Sequence, residues 1–170
     1  MGKKAQLLLL IVLINFLLTI PLTHANTTQK YTSEAGRFSI VFSNYFTKKK
    51  ISKEPPIFSV GAASDAIFYE VLYGIEAKDL PRESSQNYMQ KIRDEYVARA
   101  RVEYEEKTTL HGEPALRVIY LTEENGQTIY NHIGITAKNN VWYTLKVSSY
   151  ERHIPQELSQ HFFASFKFLK

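Results

Sequence analysis

The sequence predicts an α+β protein: an antiparallel β-sheet with helices packed on both faces, an α/β/α sandwich. Three observations carry that prediction. Apolar residues alternate with period two along most of the chain between Gly36 and Ser149. One stretch, from about Ser85 to Arg101, changes to a helical period. Asn125-Gly126 and Lys138-Asn139-Asn140 are short turn signals that join successive strands as antiparallel hairpins.

The first element is not part of that domain. Lys3 and Lys4 precede an apolar run from Leu7 to Leu22, and small residues Thr23 and Ala25 follow it. Residues 1–25 therefore read as a secretory signal peptide cut between Ala25 and Asn26, which makes the protein exported, periplasmic or secreted. The alternative is an uncleaved membrane anchor. A spanning helix wants about 20 apolar residues, and this run is shorter and interrupted by Asn15, Thr19 and Pro21. The chain has no cysteine, so it can take neither a lipid anchor on a thiol nor a disulfide. Thiolate catalysis, zinc–cysteine sites and iron–sulfur clusters are excluded with them. The ten Phe, eleven Tyr and single Trp must supply the core instead.

Residues 26–34 are polar and read as a flexible leader, and residues 35–170 as a single domain. Phe38, Ile40 and Phe42 alternate as the first strand. Asn44 to Pro56, with Lys48, Lys49, Lys50 and Lys53, reads as a loop. Ile57 to Ala63 is a short strand. Ala66 to Ala77 is a long one, with Ile67, Tyr69, Val71, Tyr73 and Ile75 on one side. Ser84 or Ser85 is a plausible N-cap for the helix, whose apolar face carries Tyr88, Ile92 and Tyr96. Four strands follow: Val102 to Leu110, Ala115 to Glu123, Gln127 to Ala137 and Val141 to Ser149. A closing helix, Pro155 to Phe163, leads into an alternating Ser165-Phe166-Lys167-Phe168 tail.

Asking the apolar sets to share a face requires three-residue loops at Glu124-Asn125-Gly126 and Lys138-Asn139-Asn140. Leu121 then pairs with Ile129, and Ile135 with Tyr143. One face carries Ile119, Leu121, Ile133, Ile135 and Leu145, and the other Leu116, Val118, Tyr120, Tyr130 and Trp142. Both are apolar, so each needs a cover.

The Gly36-Arg37-Phe38-Ser39-Ile40 opening, the Leu110-His111-Gly112-Glu113-Pro114-Ala115 turn, the four-strand meander and the Ser165-Phe166-Lys167 tail together resemble the PsbP-like fold. That fold is shared by the extrinsic photosystem subunit PsbP, the Ran-binding Mog family and small exported bacterial proteins such as the DcrB family. The resemblance spans most of residues 31–170 and rests on element order and turn motifs. It implies a binding or assembly role, and it supplies no catalytic residues.

The residues themselves carry no reaction signature: nucleophile elbows and Gly-rich phosphate loops are absent from the sequence. The expected function is a non-catalytic binding or accessory protein of the bacterial cell envelope, with no cofactor and no metal. Its partner is an unknown protein or small ligand. The candidate contact patch is Tyr120, Tyr130, His132, Trp142 and Lys146, which becomes plain core if a helix covers it. The alternative is a small hydrolase using Glu103 and Glu105, placed roughly 7 Å apart along one side of a strand. Arg117 and Asn131 stand out as polar residues on an apolar face. They sit near the sheet's edge with their ends in water, pair with an acid from the helix (Glu95 for Arg117), or form a polar spot for a ligand. Without Lys3 and Lys4 the 21 basic residues fall to 19 against 17 acidic, which argues against nucleic acid. Weak contact with a membrane surface through Lys48, Lys49, Lys50 and Lys53 stays open.

Overall fold

The computed structural model describes residues 28–64, 66–77, 82–150 and 154–170, so the signal segment and its Ala25-Asn26 cut lie outside the described residues. Chain order is β1 (Gln29–Ser33), β2 (Phe38–Phe42), β3 (Phe46–Lys53), β4 (Pro56–Ser64), β5 (Ile67–Ile75), α1 (Arg82–Val97), β6 (Arg101–Leu110), β7 (Glu113–Glu124), β8 (Gln127–Lys138), β9 (Val141–Ser149), α2 (Gln156–Ser165) and β10 (Lys167–Phe168). Seven strands form one antiparallel sheet in the order β3-β4-β5-β9-β8-β7-β6, and β1-β2-β10 form a second, smaller one.

Two-residue turns build the meander. His111-Gly112 and Asn125-Gly126 hold φ values of 50° and 85°, and of 52° and 76°. Positive φ at both central positions is the turn whose twist matches that of paired strands, and Asn and Gly accept it at low cost. Glu124 therefore pairs with Gln127, and Lys138 with Val141. This corrects the three-residue loops expected from sequence: Leu121 lies opposite Tyr130, and Ile135 opposite Thr144. Apolar matching could not select the register because the sheet is apolar on both faces. Asn131 marks the observed one. Its side chain donates to Thr122 Oγ1 on β7 (3.2 Å) and accepts from Ser148 Oγ on β9 (2.9 Å), bridging three strands.

On one face, Leu116, Val118, Tyr120, Ile133, Ile135, Ala137 and Trp142 pack under Met89 and Ile92 of α1. On the other, Val60, Val71, Tyr73, Tyr143, Leu145 and Val147 pack against Phe38, Ile40 and Phe42 of β2, with Phe162 and Phe166 from the C-terminal segment. The cover of this second face is the small sheet, with α2 tied beside it. Ser165 Oγ accepts from Val41 N at 3.2 Å, and Tyr143 donates its hydroxyl to Gly36 O at 2.6 Å. The layers are thus a helix, the large sheet, and a small sheet flanked by a helix, rather than one helix per face.

Three local expectations change. Gln29–Ser33, read as flexible leader, is a strand, because Tyr31 and Ser33 turn inward while the chain pairs with β2. The lysine-rich stretch read as a loop is edge strand β3, paired along its length with β4. The first helix begins at Arg82, so Ser84 and Ser85 lie inside it, and it ends at Val97, where Ala100 N bonds Val97 O to turn the chain toward β6.

Two glycines of the large sheet predict opposite outcomes. A Cβ on Gly74 would overlap the Trp142 indole, whereas one on Gly134 would meet nothing within 4 Å. Gly74→Ala should cost about 1–3 kcal/mol in urea unfolding through overpacking. Gly134→Ala should be neutral or stabilise by about 0.4–1 kcal/mol, by restricting the unfolded chain.

The tyrosines set an alkaline limit. Burial, then the charge of Glu70, pushes Tyr96 up to about 12. Burial also raises Tyr73, Tyr88, Tyr120 and Tyr143. Each keeps its proton longer when folded, so the stability it contributes is complete below about pH 10 and is lost as pH rises through the folded value. Unfolding free energy measured against pH should fall between about pH 10 and 12; a flat profile there would contradict the packing.

Candidate functional site

The observed register divides the five residues proposed as a patch. Tyr120, Trp142 and Lys146 lie on the α1 face, while Tyr130 and His132 lie on the opposite one. Tyr120 is 2% exposed and Trp142 5%. α1 covers them: the Tyr96 ring sits 6.3 Å from Tyr120 and the Tyr88 ring 6.0 Å from Trp142. Lys146 Nζ lies 5.9 Å from the Tyr96 ring centroid, and Lys146 stands opposite Glu70 of β5. These three form helix–sheet packing, so the single exposed patch expected from sequence is not formed.

Tyr130 and His132 instead line a groove between α2 and the β6–β7 side of the sheet. Its outer chamber, about 860 Å³, is walled by Glu103, Tyr104, Arg117, Ile119, Tyr130 and His132, with Ile154, Pro155 and Gln156 on the helix side. His132 Nδ1 is 3.1 Å from Ser159 Oγ. Ser159 Oγ also bonds Gln156 O at 3.0 Å. The bond to His132 fastens the first turn of α2 to β8 and fixes the groove's back wall.

Further along lies a smaller chamber of about 180 Å³. Leu110, Ala115, Leu145 and Phe163 line it, together with Gly134 and Gln160. Arg117 borders both chambers. Among the described residues its hydrogen bonding is confined to a 3.5 Å contact from Nη1 to Glu106 Oε1, and its buried Nε has no acceptor. Tyr104 lies against it, with the guanidinium carbon 6.0 Å from the ring centroid. Its acid partner is therefore Glu106 on β6 rather than Glu95. Arg117 and Asn131, expected on one face, point to opposite ones. Gly134 is the groove residue that sequence reasoning passed over. A glycine inside a strand of branched residues is the available signal, since it marks a close approach or an opening.

The carboxylates proposed for hydrolysis are separated by a bulge in β6 between Val102 and Tyr104, which breaks their simple alternation. Glu105 takes two bonds from Arg93 of α1, at 2.8 and 2.6 Å, while Glu103 pairs with Arg101 at 2.9 Å and borders the groove. Lys48, Lys49, Lys50 and Lys53 all lie exposed on edge strand β3, where charge discourages pairing with another sheet. Lys48 and Lys50 reach over the Phe58 ring at 5.3 and 5.6 Å. No group of three metal-ligating side chains gathers among the described residues, and none of their helices is long and apolar enough to cross a membrane.

No protein-family model matches the chain, and comparison with characterised proteins finds no relative in sequence. Similar solved structures do exist. The solution structure of cyanobacterial PsbP (CyanoP) from Synechocystis sp. PCC 6803 superposes with a TM-score of 0.59 at 12% identity, covering 86% of this chain and 95% of that one. A crystal structure from Bacteroides thetaiotaomicron superposes with a TM-score of 0.54 at 12% identity, over 84% of this chain and 48% of that longer one. Likeness of this kind, spread over nearly the whole domain at low identity, identifies architecture: the chain has the PsbP-like fold.

Proposed function

We propose that the protein is an exported, non-catalytic binding or accessory component of the bacterial cell envelope, and that it binds through the groove beside α2. The observation that carries this reading is the groove itself. It is an opening of about 860 Å³, walled by Tyr104, Tyr130, His132 and Arg117 and backed by a helix that a buried hydrogen bond holds in place. Sites for small ligands combine such concavity with a few fixed polar groups. The fold supports the reading too, since its resemblance implies binding or assembly. The signal-peptide anatomy of residues 1–25 supports export.

Two measurements test this. Intact-mass analysis of protein recovered from an envelope fraction should give an N-terminus at Asn26; a chain starting at Met1 would overturn cleavage. Titrating isotope-labelled protein with an extract of the producing cell's envelope should shift the amide signals of Arg117, Ile119, Tyr130 and His132. Shifts confined to other surfaces, or none at all, would remove the groove as the binding site.

A further inference from the structure

We infer that the groove accepts a monocarboxylate with an unbranched apolar tail, its carboxylate on Arg117 and its tail in the chamber above Gly134. This deepens the binding role proposed above and rests on it. Gly134 pairs with Arg117 on one side and Leu145 on the other, in the middle of the sheet. A Cβ built there meets nothing within 4 Å, so the small chamber is a gap over the strand. Leu110, Ala115, Leu145 and Phe163 give it apolar wall, and Glu106, Thr108, Thr109 and Gln160 are its polar members beside Arg117.

The chamber's floor favours an alkyl chain over a peptide. The backbone beneath the chamber belongs to β7, β8 and β9, paired on both sides, with edge strand β6 at its border. Over β7–β9 a peptide backbone would have to leave its own N–H and C=O groups without backbone partners, at a cost that an alkyl tail does not meet.

The mouth selects the head group. Arg117 sits where the two chambers meet, and a guanidinium carries five N–H donors in a planar fork. Its contact to Glu106 is long, at 3.5 Å, and its Nε is buried with no acceptor among the described residues. A carboxylate would meet the guanidinium at the Nη donors that Glu106 does not hold, since the Nε is enclosed. The Tyr104 ring lies beside the guanidinium, its centroid 6.0 Å from the guanidinium carbon.

The test uses octanoate and octanol as probes, titrated into the mature protein and followed by calorimetry and amide shifts. Octanoate should bind saturably, shifting Arg117, Gly134, Leu145 and Phe163, and octanol should bind about tenfold more weakly or worse for want of the charge-assisted bonds. Arg117→Gln should bring the two probes to equal affinity, a ratio that partial loss of folded protein does not alter. Gly134→Val should weaken both, because its side chain occupies the gap. The inference is overturned if octanoate shows no saturable groove shifts, if Arg117→Gln leaves the ratio unchanged, or if Gly134→Val binds as the parent does. Groove shifts from the envelope extract but not from octanoate would discard the ligand class and leave the binding role standing. Silence from both would remove both.

Discussion

The pairing of β7, β8 and β9 through two-residue turns is the constraint on which the rest of the structure depends. Positive φ at Asn125 and Gly126 sends β8 back along β7 with the twist the sheet requires. Every side chain of the meander is then assigned to a face. Asn131 supports the same register from the sheet interior, because only there can it reach Thr122 and Ser148 together. A slip of one residue would strip those partners from a buried amide, costing about 1–3 kcal/mol per unsatisfied group.

From that assignment the two faces acquire different covers. α1 lies over Tyr120, Ile133, Ile135 and Trp142, closing its side with aromatic packing. The small sheet closes the opposite side over β5 and β9, where Phe38 meets both Tyr73 and Tyr143. β6 and β7 extend beyond it, and α2 crosses only part of the remaining floor. The groove is therefore a consequence of coverage: a seven-stranded sheet is wider than the small sheet and the ten-residue helix beside it. Gly134 deepens the opening, and Arg117 places a charge on the border of both chambers.

Much of this was legible in the chain. Period-two alternation located β4, β5 and the meander, and the switch to a helical period located α1 within a turn at each end. Register was not legible. Hydrophobic patterning fixes register where one face is buried and the other wet, but here Leu116, Val118 and Tyr120 alternate with Ala115, Ile119 and Leu121, and both sets need cover. Turn geometry was the better guide, and preferring shared faces over the Asn-Gly signal moved Tyr130 and His132 to the wrong side. β1 and β3 were missed for a related reason. Their composition is polar because each is paired at an edge, with only Tyr31 and Ser33, or Phe46, turned inward. Arg117 was conspicuous in sequence as a charge among apolar neighbours, yet its partner could not be named, because Glu106 comes opposite only through a two-residue turn at His111-Gly112 that pairs Leu110 with Glu113.

Cross-strand contacts between backbone protons, read from nuclear Overhauser spectra, test the account most directly, because the groove exists only in one register. The strongest contacts should join Leu121 to Tyr130, and Ile135 to Thr144 and Leu116. Contacts joining Leu121 to Ile129 and Ile135 to Tyr143 would contradict the structure. They would take Arg117, His132 and Gly134 off their common floor, and the binding site with them.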